Sequence, residues 1–289
     1  MKPHRKSLGY IAAAALASVT FAIHSHTYPG FAHARTNSLP DIILWAWERP
    51  EDLRFLTDQR IGVAFLAKTI DLPSRNSSSG TTTAQPIVRP RLQLLRVAPG
   101  IPLIAVVRIE NLATSHGVSG MSSIAAETGE QIVAEVTSLQ DIASVRAIQI
   151  DFDATTSQHV FYSALLQDVR RKLRPEIPLS ITALASWCIG DPWLRELPPG
   201  TIAEAVPMLF RMGPDAANVA AFLRSGEEFR VPTCRNSLGV STDEPISRQL
   251  LAKQLAGMSA NWREKRIYVF APRPWTQFAA DSILKEWQR

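Results

Sequence analysis

Short apolar runs alternate along the chain with longer segments in which apolar residues recur every three or four positions, the signature of strands alternating with helices. The strand runs are Ile42 to Trp47, Ile61 to Leu66, Pro102 to Glu110, Ala147 to Asp153, Leu179 to Ala185, Ile202 to Phe210, a short stretch around Leu238, and Ile267 to Phe270. Two of them carry a particular pattern. In Ala147 to Ala154, Ile148, Ile150 and Phe152 point to one face while Gln149, Asp151 and Asp153 point to the other. In Pro102 to Glu110, Ile104, Val106, Arg108 and Glu110 share a face opposite Leu103, Ala105, Val107 and Ile109. In both, the charged residues come last.

The helical signals fall between the strands. Pro50, Glu51 and Asp52 read as the opening of a helix bearing Leu53, Phe55 and Leu56. A longer helix is predicted over about Ser123 to Ile142, and another after the caps Thr155, Thr156 and Ser157, with Arg170, Arg171 and Lys172 complementing its C-terminal dipole. Further helices are expected over Ala216 to Leu223, stopped by Gly226, over Ile246 to Met258, and over Phe278 to Trp287. Eight strand signals alternating with helices predict an α/β fold, a (β/α)8 TIM-like barrel, irregular at its second and seventh units.

The N-terminus changes the picture of where the chain works. Lys2, Arg5 and Lys6 precede an apolar stretch from Leu8 to Ile23 and a small-x-small pattern at Ala32-His33-Ala34, which reads as a signal peptide over residues 1–34. The expected mature chain is a single barrel domain over residues 35–289, periplasmic or secreted, with no membrane span after cleavage and a mobile Ser/Thr-rich loop near 73–86. Cleavage removes three basic groups and no acidic ones, so the formal charge falls from +5 to +2. A charge that small provides no concentrated basic face, which excludes nucleic acid as a partner. Cys188 and Cys234 are the two cysteines, and in an oxidising compartment they are expected to form a disulfide stabilising by about 3 to 4 kcal/mol.

Barrels of this class place their sites at the C-terminal ends of the strands. Strand position therefore nominates Trp47, Glu48, Lys68, Arg108, Glu110, Asp151, Asp153, Ser186, Trp187, Arg211, Arg273 and Trp275. Glu110, Asp151 and Asp153 are the candidate catalytic carboxylates, because glycoside hydrolysis needs one protonated acid beside a second carboxylate and close like charges separate their pKa values. Trp47, Arg108, Trp187, Arg211 and Trp275 are the candidate substrate-binding residues, aromatic rings stacking on sugar faces. Structural roles stay open beside these: Asp151 pairing with Arg108, Asp153 capping the next helix, and the tryptophans filling gaps between barrel and helices. His159 is a further candidate base. Two histidines in the mature chain, without metal-ligand spacing, argue against zinc, and no phosphate loop or nucleophile elbow is present, so no cofactor is expected.

Ile148-Gln149-Ile150-Asp151-Phe152-Asp153-Ala154, Leu179 to Cys188 and Val206-Pro207-Met208-Leu209-Phe210-Arg211 resemble a bacterial domain family of unknown function. The resemblance implies a glycoside-hydrolase-like barrel and no established activity. The chain is also distantly similar to chitinase-like barrels, whose fourth strand ends D-x-D-x-E with the Glu as proton donor. Aligning Asp151 and Asp153 with the two aspartates puts Thr155 in the place of that Glu, whereas shifting by two puts Asp153 there and Gln149 at the first aspartate, and neither register restores the full motif. The expected function is an exported, glycan-acting, glycoside-hydrolase-like enzyme using carboxylates at the barrel mouth, with Asp153 or Glu110 as general acid/base and Asp151 positioning it. The alternatives are a non-catalytic carbohydrate-binding barrel and a structural envelope protein.

Overall fold

A computed structural model describes residues 39–72, 85–111, 126–254, 262 and 264–287. The segment read as a signal peptide and residues 73–84 of the expected Ser/Thr-rich loop lie outside the described residues. Eight parallel strands close into a barrel: β1 (Ile42–Ala46), β3 (Ile61–Leu72), β6 (Leu103–Asn111), β7 (Val145–Asp151), β8 (Leu179–Leu184), β9 (Glu204–Met208), β10 (Ser237–Ser241) and β11 (Arg266–Phe270). The ring is sealed by parallel pairing of β1 with both β3 and β11. Helices follow the later strands: α1 (Ala126–Thr137), α2 (His159–Lys172), the short α3 (Ala185–Ile189) and α4 (Trp193–Glu196), α5 (Ala216–Ser225), α6 (Pro245–Leu251) and α7 (Gln277–Trp287). Gly226 ends α5 in the left-handed conformation (φ 74°) that its missing Cβ permits. The expected TIM-like barrel is the fold. Among the described residues no helix is long and apolar enough to cross a membrane.

The early part of the chain departs from the expected pattern. The helix predicted at Pro50 is instead a strand, β2 (Glu51–Leu53), paired in parallel with β5 (Leu95–Val97) in a two-stranded sheet of its own. Local propensity at Pro50-Glu51-Asp52 yields here to a tertiary partner more than forty residues away, and to burial of the Glu51 carboxylate against Arg49 and the Trp275 amide. β3 runs six residues past its expected end and carries β4 (Ile87–Pro90) antiparallel on its outer half.

Side-chain alternation separates two apolar layers. Ile43, Trp45, Ala64, Leu66, Ile104, Val106, Ala147, Val206, Phe210 and Tyr268 fill the barrel interior, while a larger cluster packs the outer strand faces against the helices. The Trp45 indole occupies the centre of the ring, and Gly239 makes room for it: a Cβ there would lie 3.0 Å from Met208 Sδ and 3.2 Å from Trp45 Cη2. Polar groups inside the barrel are satisfied in a chain. Trp45 Nε1 donates to Gln149 Oε1 (3.1 Å), Gln149 Nε2 donates to Ser180 Oγ (3.2 Å), and Ser180 bonds the Tyr268 hydroxyl. Tyr268 and Arg266 in turn donate to the two oxygens of Glu204, each at 2.7 Å, at the N-terminal end of the strands.

Candidate functional site

The mouth of the barrel, at the C-terminal strand ends, gathers the charged residues that alternation aims inward above the apolar plug. The register pairs Arg108 of β6 with Asp151 of β7, and Asp71 of β3 with Glu110 of β6. Arg108 Nε lies 2.8 Å from Glu110 Oε1 and 3.9 Å from Asp151 Oδ2, and its guanidinium sits 5.5 Å from the Trp47 ring centroid. Arg89, from β4, spans Asp71 (2.8 Å) and Glu110 (3.0 Å). Glu110 is thus held between two guanidinium groups.

Asp151 differs from its neighbours. Its side chain is 17% exposed, and Thr182 Oγ1 on β8 donates to its Oδ1 at 2.6 Å. Burial pushes its pKa up from 3.8 to about 6. The Thr182 hydrogen bond and the distant Arg108 charge oppose the shift, while the Asp153 and Glu110 charges add to it. Its favourable contacts are one hydroxyl and a cation at 3.9 Å, too weak to offset desolvation. The result is a carboxyl that exchanges its proton near neutral pH, at the position where such barrels work.

Asp153 follows the end of β7 and is exposed. It does not cap the next helix: the Thr155 amide donates to Gln158 Oε1 (2.9 Å), and Gln158 Nε2 donates to Asn111 Oδ1 (2.7 Å). Arg211, exposed after β9, lies with its guanidinium 4.8 Å from the Phe270 ring centroid. The mouth therefore assembles Trp47, Arg108, Glu110, Asp151, Asp153 and Arg211.

Two expected lining residues are elsewhere. Trp187 is buried on α3 in edge contact with Trp193 and His159, behind β7 and β8. The chain turns into α3 directly after β8 and carries the ring outward. Trp275 is 4% exposed, its Nε1 donating to Trp45 O (2.9 Å). It seals the end of β1 from the helix side, so neither ring lines the mouth. Lys68 also faces outward, to Glu135 of α1 at 2.6 Å. His159 stacks on Trp193 with ring centroids 4.6 Å apart, and burial lowers its pKa, so it takes no part in the mouth. Cys188 and Cys234 form the expected disulfide, with Cα atoms 5.9 Å apart.

Several mouth residues are not visible in the alternation pattern. A bulge between Leu66 and Lys68 shifts the alternation of β3 by one position and brings Thr69 and Asp71 inward. Thr69 Oγ1 donates to Glu48 Oε1 at 3.5 Å, and Asp71 is buried against Arg89. Thr182 was legible in principle, as an inward polar position of β8 beside the strand carrying Asp151. Among the described residues no group of three acidic, histidine or cysteine side chains is arranged to hold a metal ion.

Comparison with known proteins adds a family profile and no activity. No curated protein matches the chain. Residues 99–197, from the approach to β6 through α4, match a domain of unknown function (DUF3142), and this is the stretch that contributes Arg108, Glu110, Asp151, Asp153 and Thr182 to the mouth.

Proposed function

We propose that the protein is an exported, carbohydrate-active barrel enzyme of the glycoside-hydrolase type, with Asp151 as its proton donor. The observation that supports this most is the Asp151 carboxyl, buried enough to hold a proton to about pH 6 and set at the C-terminal end of a barrel strand beside other carboxylates. Asp151 transfers its proton to the glycosidic oxygen as the C–O bond breaks, and the leaving sugar departs as an alcohol. Water adds to the anomeric carbon and gives up its proton to a second carboxylate. Asp153, exposed at the rim, fills that second role better than Glu110, which Arg108 and Arg89 already engage. Trp47, with Arg108 over its ring, offers an aromatic surface for a sugar face. The disulfide and the signal-like N-terminus support work outside the cytoplasm.

The same contacts of Glu110 favour a second reading, a barrel that binds glycans without cleaving them, because a carboxylate clamped by two arginines is a positioning element. Incubation of purified protein with a panel of cell-wall and exopolysaccharide glycans separates the two. Hydrolysis by wild type, reduced about 10²- to 10⁴-fold in Asp151→Asn, supports catalysis. Binding by both proteins without products favours the second reading, and neither binding nor products sinks both. For the enzyme, kcat/KM should fall as pH rises through about 6, because the free enzyme's acid must be protonated.

A further inference from the structure

We propose that the glycan bound at this mouth is acidic, and that a uronate carboxylate seats on Arg211, which makes Arg211 a specificity-determining residue. The inference rests on the glycan reading above and names the substrate class for it.

Arg211 is held in place at a cost. Its backbone is left-handed (φ 52°), a conformation unfavourable for a residue with a Cβ. Its amide donates to Glu244 Oε1 at 2.7 Å, which fixes the turn after β9. From there the side chain reaches over the end of β11, where its guanidinium rests on Phe270. Phe270 is itself stacked on Phe210 of the barrel interior, with centroids 5.6 Å apart and planes 11° apart. Strain of this kind persists where surrounding contacts over-determine it, and it concentrates at ligand-contacting positions.

The charges around the ring give the group its meaning. In the eight-stranded barrel, β11 stands four strands from β7, so the Phe270 end of β11, on which the Arg211 guanidinium rests, lies on the opposite side of the ring from Asp151. The Asp151 side carries Asp71, Glu110, Asp151 and Asp153 against Arg89 and Arg108, and both of those arginines are ion-paired. Among the described residues no carboxylate pairs with the Arg211 guanidinium. Of the acids that follow β10, Glu244 accepts the Arg211 amide and Asp243 accepts the Ser241 hydroxyl. An anionic substituent is repelled from the acidic side and attracted to Arg211, so it also sets which way the chain lies across Asp151. A guanidinium matches a planar carboxylate through two parallel hydrogen bonds, and an aromatic ring beneath it reduces its hydration.

The test is calorimetric binding in the Asp151→Asn background, so that hydrolysis does not consume the ligand. The probes are a set of uronate-bearing oligosaccharides, the same compounds with their carboxylates reduced to alcohols, and sulfated neutral oligosaccharides. The expected result is about tenfold tighter binding of a uronate form than of its reduced counterpart, with the preference lost in Arg211→Gln while affinity for the reduced form stays within about twofold. Retained affinity for the reduced form also shows that the variant is folded. Equal binding of both forms, or a preference that survives Arg211→Gln, overturns the assignment while leaving the glycan site standing. A sulfated ligand that outbinds every uronate overturns the carboxylate. Failure of every probe to bind removes the glycan reading and this inference together.

Discussion

The two ends of the barrel both carry charge, yet they treat it in opposite ways. At the N-terminal end, Glu204 is fully buried and both its oxygens are engaged, one by Arg266 and one by Tyr268. Arg266 also donates to the Pro40 and Leu39 carbonyls, and although burial opposes its charge, the attraction of Glu204 prevails and its pKa is raised. Tyr268 is pushed well above its usual pKa by burial, so it stays neutral and donates. At the C-terminal end, Asp151 has one hydroxyl donor and a cation at 3.9 Å, and its proton affinity rises accordingly. A closed network fixes the fold; an incompletely satisfied one leaves a group able to do acid–base work.

The comparison can be broken most forcefully at the N-terminal end. Glu204→Ala strips the charge partner of a buried guanidinium and should destabilise by about 3 to 5 kcal/mol in urea titrations. A loss under 1 kcal/mol would show that this end is not the closed network described. The Cys188→Ala, Cys234→Ala double variant, which touches neither end, provides a yardstick: a loss of about 3 to 4 kcal/mol under non-reducing conditions.

At the mouth the sign reverses. Between pH 3.8 and about 6 the folded protein keeps a proton on Asp151 that the unfolded chain gives up, so this group makes stability fall as pH rises through that window. Asp151→Asn should therefore be more stable than wild type at pH 8 by up to about 3 kcal/mol, and equal to it near pH 3. Parallel pH profiles for the two proteins would refute the raised pKa. The smallest effect is expected from Thr182→Val, which removes the one hydroxyl that stabilises the charged form. It should cost about 2 kcal/mol at pH 8 and shift the alkaline limb of activity upward.

Much of this architecture can be read from alternation alone. Ile104, Val106 and Ala147 point inward and Ala105, Val107, Ile148 and Ile150 outward, as a period of two demands, and the same parity delivers Arg108, Glu110 and Asp151 to the mouth. What alternation does not carry is a change of phase. The bulge at Ala67 is invisible in an apolar run, so the pattern conceals Asp71 and Thr69 and places Lys68 on the wrong face. Glu51 has the local context of a helix-opening acid, but its partners, Arg49, β5 and Trp275, are set by the tertiary fold. Trp187 and Trp275 follow strands and so looked like rim residues, but the direction of the turn after a strand decides which side a ring takes.

The Trp45 indole, lodged beside Gly239 and tied to Gln149, also has a kinetic meaning. With the apolar side chains around it, it fills the interior that separates the two ends of the barrel. In the enzyme proposed above, a ligand held over Asp151 would leave by the opening through which it came, and a spent product would stand in the doorway of the next substrate. Inhibition by product should accordingly be competitive.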